Sequence, residues 1–483
     1  MAMLRPRHRA RPAVAGAVAA LAAATALLAG CAPVPRLGAA PRPAAPDTFA
    51  ATQSFAAPER AWPADRWWQA WRDPALDRLI EEGLAGSPDI ATAAARLRKA
   101  EGLRQQAGAA LAPTLNAAGE VVLTKQSYNE GIPAEFVPKG WQGAGQGALS
   151  ANLDLDLWGR RRAALAAATS EAEAARVDLA QARLILTTAI AEGYAQLAQL
   201  YADRDVAADA ARVRADTVRL TAQRVRNGLD TRGELRQADA RLPAARADIA
   251  ALDEAIGLTR NRLAALIGAG PDRGLAIARP AAIKAPDFGL PSRLALSLVG
   301  RRPDIVASRL RAEAAASRIK AARAAFYPDV NLAGLIGVES LGLGNLVKGS
   351  STYGSVGPAI TLPLFEGGQL SGAYRGARAD YDAAVASYDS TLLTALHEVA
   401  DAATSQRALA VRLAEQKRAL AAAGEAYTIA RMRYQGGLAN QLTVLTAEDT
   451  LLASRRAVAD LEARGLLLDV ALVRALGGGF RTE

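Results

Sequence analysis

Pro88-Asp89-Ile90, Arg96, Ala100, Ala107, Ala109-Ala110, Pro113 and Asn116 mark a stretch that the chain uses twice. Pro303-Asp304-Ile305, Arg311, Ala315, Ala322, Ala324-Ala325, Pro328 and Asn331 return the same ten residue types at a constant offset of 215. A proline opens each copy, where a helix tolerates a missing N–H, and a second proline ends it before an apolar alternating run. The match extends outward. Each copy is followed by an alternating run, a turn-rich insert, a second alternating run, a very long Ala-rich helical stretch, a glycine turn and another helix. A period near 210 residues is too long for a small solenoid repeat. The chain reads as one unit duplicated and fused.

Composition narrows the chemistry. The 483 residues are rich in alanine and only 5% aromatic, as in long helices packed closely side by side. Cys31 is the single cysteine, and His8 and His397 are the two histidines. An intrachain disulfide, a cysteine metal cluster and a multi-histidine zinc site are therefore excluded. No metal, cofactor or catalytic residue is expected, and the chain is not read as an enzyme.

Residues 1–30 have the parts of an export signal, with Arg5, Arg7, His8, Arg9 and Arg11 ahead of an uncharged apolar run at 13–29. Its removal takes four arginines and no acid from a net charge of +10, leaving too little positive charge to argue for nucleic acid. Beyond it, no stretch holds eighteen uninterrupted apolar residues, which argues against a membrane-spanning helix. Residues 31–66 are rich in Pro and Ala and read as an extended tether. Trp62, Trp67, Trp68 and Trp71 cluster beside it, expected to pack across the helix bases rather than at a membrane interface.

The first structural repeat is placed at 67–268, with helices over 73–85 and 88–112. Strands are expected at about 114–124 and 147–157, where Leu149, Ala151, Leu153, Leu155 and Leu157 share one face and Ser150, Asn152, Asp154 and Asp156 the other. A linker follows at 269–290. The second repeat, at 291–480, has strands at about 329–339 and 355–364. Long helical hairpins are expected over 159–268 and 368–476. Their first arms lack proline for roughly 68 residues, which at ~1.5 Å each is roughly 100 Å. Each arm ends at a glycine turn, Asn227-Gly228-Leu229 and Gly436-Gly437-Leu438, and Pro243 is expected to kink the first return helix. The fold class is thus mainly α with a small β part. Four strands of about ten residues, apolar on one face and polar on the other, fit a membrane barrel but are too few to close one, so oligomerisation is implied.

At these residues the chain resembles the outer-membrane efflux lipoproteins of the TolC/OprM/NodT group. The matching stretches are Leu153-Asp154-Leu155-Asp156-Leu157-Trp158-Gly159-Arg160, Arg301-Arg302-Pro303-Asp304-Ile305, Ala325-Phe326-Tyr327-Pro328, Pro363-Leu364-Phe365-Glu366-Gly367-Gly368 and Ala475-Leu476-Gly477-Gly478-Gly479. Leu28-Ala29-Gly30-Cys31 resembles a lipobox, which implies cleavage before Cys31 and covalent lipid (palmitate among it) on that residue. The resemblance implies a homotrimer with a twelve-stranded outer-membrane β-barrel on a periplasmic helical tunnel. It also implies a periplasmic adaptor (membrane fusion protein) and an inner-membrane resistance-nodulation-division pump as partners, with no nucleic acid. The channel would passively conduct what the pump delivers, as in multidrug resistance.

The resemblance places a periplasmic entrance just after each glycine turn. Carried over, it assigns Tyr434, Leu442, Thr443, Thr446 and Asp449 at the second turn, with Gly437, and Asp230 and Glu234 at the first. Aspartates common in the family are replaced here by Thr443 and Thr446, while Glu234 falls where such an aspartate is common. Three Glu234 carboxylates in a ring would favour cations; otherwise Glu234 and Asp449 lie on solvated faces, paired with Arg232 or Arg236. Asn227, Gly228, Leu229, Gly436, Gly437 and Leu438 would contact the adaptor.

Other motifs carry less. Arg160-Arg161-Arg162 opens a helix after a strand and reads as a positive collar below the membrane rather than a nucleic-acid patch. Gly367-Gly368 has no following Lys-Ser/Thr and is a turn, not a phosphate loop. The competing function is a poreless periplasmic coiled-coil adaptor or scaffold lipoprotein; the alternating strands favour the channel. The cargo is not written in these features.

Overall fold

A computed structural model describes residues 34–129, 131–283, 286–292 and 294–482. The signal segment and Cys31 lie outside the described residues. In chain order the elements are α1 (Pro74–Gly86), α2 (Pro88–Ala109), β1 (Thr114–Thr124), β2 (Gln142–Asp154), α3 (Arg160–Arg226), α4 (Arg232–Leu266) and the short α5 (Pro271–Leu275). The second half follows with α6 (Leu294–Arg301), α7 (Pro303–Ala324), β3 (Asp329–Leu341), β4 (Thr352–Thr361), α8 (Gln369–Gln435) and α9 (Gln441–Ala475). The duplication is visible in the lengths: α3 and α8 are both 67 residues, and α4 and α9 are both 35. Pro243 lies inside α4 without interrupting it.

The chain divides into two compact units. One holds residues 99–172 and 310–385 with the start of the described N-terminal segment; the other holds 43–98, 173–309 and the residues from 386 onward.

The first unit contains a single antiparallel sheet in the order β1-β2-β3-β4. Its register joins the two halves, because β2 pairs with β1 (Leu115↔Ala151) and with β3 (Leu149↔Ile336). Opposed residues share a face, so Leu115, Val121, Leu123, Leu149, Leu332, Ile336, Val356 and Ile360 fall on one side. All of these are exposed. Glu120, Gln146, Ser150, Asn152, Glu339 and Ser355 occupy the other side, where the Gln146 amide donates to the Tyr353 hydroxyl at 2.7 Å. Strand boundaries depart from expectation: β2 runs from Gln142 to Asp154 rather than over 147–157, and β4 from Thr352 to Thr361 rather than over 355–364. The early end of β2 has its reason in Asp156, which takes φ +44° and turns the chain. Its carboxylate then accepts the backbone N–H groups of Arg161 (2.8 Å) and Arg162 (2.9 Å), capping the N-terminus of α3. The arginine run is consequently not a free collar: Arg160 pairs with Asp329 at 2.7 Å, Arg161 with Asp154, and Arg162 with Asp156. Trp158 stacks on Tyr327 and donates to the Pro328 carbonyl, tying the end of β2 to the start of β3.

The second unit is built on two equivalent cores. Leu76, Ile80, Ile190, Tyr194, Leu197, Leu263 and Ile267 form the first, with Trp67, Trp68 and Trp71 buried in it. Leu294, Leu298, Ile305, Tyr388, Leu392, Val399, Leu472 and Leu476 form the second. Two buried polar pairs tie these cores, Tyr194 donating to Asp73 at 2.7 Å and Trp71 to Asp469 at 3.0 Å, while the Trp68 indole N–H is buried without a partner among the described residues. The tryptophans thus pack as expected. The segment before them is a docked strap rather than a tether. Within the first unit, Arg378 donates to the Gly38 and Ala39 carbonyls and Tyr381 to that of Pro41. Within the second, Asp389 accepts from the Ala44 N–H, and Phe49, Phe55 and Trp62 pack on the second core. The region over 269–290 connects the halves but contains α5, and Leu290 pairs its backbone with the strap at Pro58 and Arg60.

The halves also share one tight approach. Gly268 (φ +74°) would place a Cβ 2.2 Å from the Gly86 carbonyl oxygen, and Gly477 (φ +87°) would place one 1.9 Å from that of Arg301. Each helix end therefore closes against the residues preceding a repeat proline, and only glycine fits. Gly268→Ala and Gly477→Ala are each expected to destabilise the fold by at least about 2 kcal/mol, from left-handed strain plus overpacking. Denaturant unfolding would check this, with Gly257→Ala, in open space within α4, as the tolerated control.

Candidate functional site: the helix turns and the ties between hairpins

Both hairpin turns are closed by the same backbone logic. Gly228 (φ +73°) and Gly437 (φ +74°) take the left-handed conformation, and the N–H groups of Leu229 and Leu438 return to the carbonyls of Arg224 and Arg433, each at 2.8 Å. The return helices then start differently. Thr231 and Glu234 form a reciprocal capping box on α4, whereas Asn440 caps α9 through the Thr443 N–H. Leu229 and Leu438 are left 63% and 74% exposed at equivalent positions.

Above the turns, charged groups bind the first hairpin (α3, α4) to the second (α8, α9). Arg224 reaches both oxygens of Asp230 at 2.9 and 3.2 Å and the Tyr434 carbonyl at 3.3 Å. Tyr434, only 2% exposed, donates its hydroxyl to Asp230 at 2.6 Å, and the Arg224 guanidinium lies 4.5 Å from its ring centre. Burial, reinforced by the hydrogen bond to Asp230, raises the Tyr434 hydroxyl above its usual range. Next along the bundle, Gln441 donates to Thr221 at 3.0 Å. A second tie follows. Arg214 meets Glu448 at 3.3 Å and the Arg241 carbonyl at 3.4 Å, and Arg241 makes two 2.9 Å contacts to Asp449. Glu448 is 1% exposed, and burial raises its carboxyl despite Arg214. Further on, buried Asp203 of α3 faces Asp460 and Arg456 of α9; burial and then the Asp460 charge push it up to about 6.

The expected entrance residues separate into two groups. Leu442, Thr443 and Thr446 are exposed and line, with Ala423, Ala426, Asn440, Ala447 and Thr450, an uncharged groove of about 480 Å³. Asp230 and Tyr434 instead lie between the hairpins as a tie, because each satisfies the other where water is excluded. Glu234 does not pair with Arg232 or Arg236; its carboxylate accepts the Thr231 N–H at 2.7 Å. Asp449 is on an exposed face, as expected, but pairs with Arg241 rather than with Arg232 or Arg236. Arg214, Arg224, Arg241 and Glu448 were not singled out in the sequence. A signal exists for two of them: at the offset of 209 that relates the two hairpins, Arg214 corresponds to Ala423 and Arg241 to Thr450, as Asp230 does to Ala439 and Tyr434 to Val225, whereas Arg224 corresponds to Arg433 and Glu448 to Asp239. The ties combine positions where the halves have diverged with positions they have kept.

Comparison with known proteins agrees with this geometry. The sequence profile of the family described as outer membrane efflux protein matches residues 79–269 and again 294–478, one match per half. The chain belongs to this family. It is 31% identical over 423 residues to the multidrug resistance outer membrane protein MdtP of Escherichia coli O6:H1, covering 86% of each chain. It is 30% identical over 426 residues to the pyoverdine export outer membrane protein OpmQ of Pseudomonas aeruginosa, covering 86% of this chain and 87% of that one. Among solved structures, the outer membrane protein VceC of Vibrio cholerae superposes with a TM-score of 0.82 at 44% identity, over 87% of this chain and all of that one. The outer-membrane channel OprN superposes with a TM-score of 0.83 at 30% identity, over 93% and 99%. The chain is accordingly an outer-membrane channel component of an efflux system, and the poreless scaffold is set aside.

Two outcomes test the ties. Asp230→Asn removes the charge that both Arg224 and Tyr434 bind, and is expected to cost roughly 2 kcal/mol; a double-mutant cycle with Tyr434→Phe should show coupling of about 1 kcal/mol. Asp203 has a folded value near 6, above its ordinary 3.8. Folding therefore favours its protonated form, and its contribution to stability improves as pH falls through about 6 toward 4. Asp203→Asn should raise stability at pH 8 by about 1–2 kcal/mol, and the gain should shrink below pH 6. Unfolding midpoints across pH 4–8 would read it.

Proposed function

We propose that three copies of this chain close a twelve-stranded barrel and conduct cargo passively from a periplasmic adaptor and inner-membrane pump to the cell exterior. The observation that carries this reading is the open four-stranded sheet, apolar and exposed on one face, polar on the other, with β1 and β4 each paired on one side only among the described residues. A bilayer supplies no partners for unpaired backbone groups, so a closed ring of strands from several chains is the stable solution. Four strands per chain make a threefold ring of twelve, and the polar face then lines water. The chemistry is transport alone, without an enzymatic step. The family resemblance supports a resistance-nodulation-division pump as the inner-membrane partner and covalent lipid on Cys31 as a second membrane attachment.

In this reading the exposed Leu442, Thr443 and Thr446 and the carboxylate of Glu234 narrow the tunnel entrance, and the Arg224–Asp230–Tyr434 tie holds the hairpins while it is narrow. The multidrug and pyoverdine relatives support export of small molecules, with selection left to the pump.

Planar-bilayer recording is the direct test. Purified protein should give discrete steps of a single size, and the Asp230→Asn, Tyr434→Phe double variant should raise conductance or open probability at least about threefold by releasing the tie. Glu234→Gln should lower cation preference without abolishing the steps. Absence of steps in the double variant, with trimers present by native mass, would overturn the pore.

A further inference from the structure

The loops of the sheet carry a charge pattern that conduction does not use. By register, residues 125–141 and 342–351 lie at the end of the sheet remote from the helices that follow β2 and β4. Arginine is the commoner cation of the chain, yet residues 111–159 and 324–374 contain none; their only cations are Lys125, Lys139 and Lys348. All three stand in these loops, are exposed, and make no ion pair among the described residues. The loops hold two glutamates, Glu130 and Glu135, both in the first. The strand carboxylates Glu120, Asp154, Asp329 and Glu339 fall on the polar face of the sheet.

The apolar face is finished differently at this end. The register that pairs Thr124 with Gln142 brings Lys125 opposite Trp141 one step further, both on the apolar side, and Trp141 is 69% exposed. Gly143 and Gly145 leave a seat on the same side that the β3–β4 loop fills. A Cβ at Gly145 would stand 3.0 Å from both Leu343 and Leu346, and one at Gly143 would stand 3.3 Å from Leu343. Gly145 is buried by this packing, while Leu343 keeps an exposed flank and Val347, just before Lys348, is 90% exposed. An indole and two aliphatic side chains thus border a group of unpaired ammonium groups.

Arginine and lysine are divided between the two ends of the sheet. At the helix end Arg160, Arg161 and Arg162 meet carboxylates of this chain, Asp329, Asp154 and Asp156. At the loop end the lysines have no such partner. Lysine stems lie along apolar surface and deliver a compact charge beyond it, which suits a phosphate at the level where acyl chains end.

We propose that the loop end of the sheet holds a phosphate-bearing acyl lipid of the outer membrane, its chains against Trp141, Leu343 and Val347 and its phosphates on Lys125, Lys139 and Lys348. The inference rests on the reading of the sheet as part of a membrane barrel and adds the headgroup that this barrel takes.

The probes are lipid A carrying two phosphates, the same lipid with both phosphates removed, and inorganic phosphate, each titrated against the purified full-length trimer and read by native mass spectrometry. The phosphorylated lipid should bind at least about tenfold tighter than the dephosphorylated one. Lys125→Gln, Lys139→Gln and Lys348→Gln should each lower its affinity about fivefold, and the triple variant should bind both lipids alike. Trp141→Ser with Val347→Ser should weaken both lipids by a similar factor. Equal binding of the two lipids by the natural protein, or a preference that survives in the triple variant, would overturn the proposal. Full displacement of the lipid by inorganic phosphate would make this a free-anion site and equally overturn it. So would a triple variant that changes ion preference through the pore but not lipid binding, since the lysines would then face the water path. Conductance steps of the natural protein separate the two readings: steps without a headgroup preference sink this inference alone, and absence of both trimer and steps sinks the barrel on which it rests.

Discussion

Everything in this protein follows from backbone hydrogen bonds that one chain cannot complete. The sheet has an apolar face suited to lipid and, among the described residues, two strand edges without partners, and lipid tolerates no open edge. A water-soluble protein would fold a helix over such a face. Here the sheet's apolar face is exposed, and the helix that follows β2 begins at a short capped corner where Asp156, with its positive φ, makes two N–H contacts to α3. The sheet is left bare because its cover is a membrane and its missing partners are other copies.

The helical part meets a different demand. Long hairpins rich in alanine pack closely but bury little area per residue, so each core depends on a few large side chains and on contacts that admit only glycine. Toward the turns the hydrophobic supply thins to a small cluster around Ala430, Tyr434 and Val444. Polar ties take over there. A buried arginine–carboxylate contact is a weak source of net stability, since desolvation offsets most of the attraction, but breaking one partner is costly. That asymmetry makes these contacts a device for holding two hairpins in one arrangement rather than a source of net stability.

The duplication explains why the ties look as they do. The ties join non-equivalent positions of the two halves, since Tyr434 corresponds to Val225 but meets Asp230, and Glu448 corresponds to Asp239 but meets Arg214. Divergence at single positions, Asp230 against Ala439 and Tyr434 against Val225, turns a symmetric frame into a complementary contact without altering helix lengths. The same divergence moved the capping chemistry, leaving Glu234 as part of a box on one side and Thr443 under Asn440 on the other.

Periodicity determined much on its own. The duplicated stretch at 88–116 and 303–331, the period-two strands and the proline-free arms terminated by Gly228 and Gly437 are patterns in the sequence itself, and local sterics and hydrogen bonding translate them directly, so the elements, their order and the need for more than one chain are legible there. The end of β2 is not legible in the sequence, because alternation continues through Leu155 and Leu157 after the backbone has already turned at Asp156. The strap over 34–62 was read as a tether because Pro and Ala reveal nothing of the side chains of Arg378, Tyr381 and Asp389 that hold its carbonyls and N–H groups. The roles of Asp230, Tyr434 and Asp449 could be decided only in three dimensions. Each is a polar residue on a helix whose meaning depends on what stands opposite, more than 200 positions away in sequence for the ties Tyr434–Asp230 and Arg241–Asp449. Pairing across that separation is set by helix register and burial, which no local window contains.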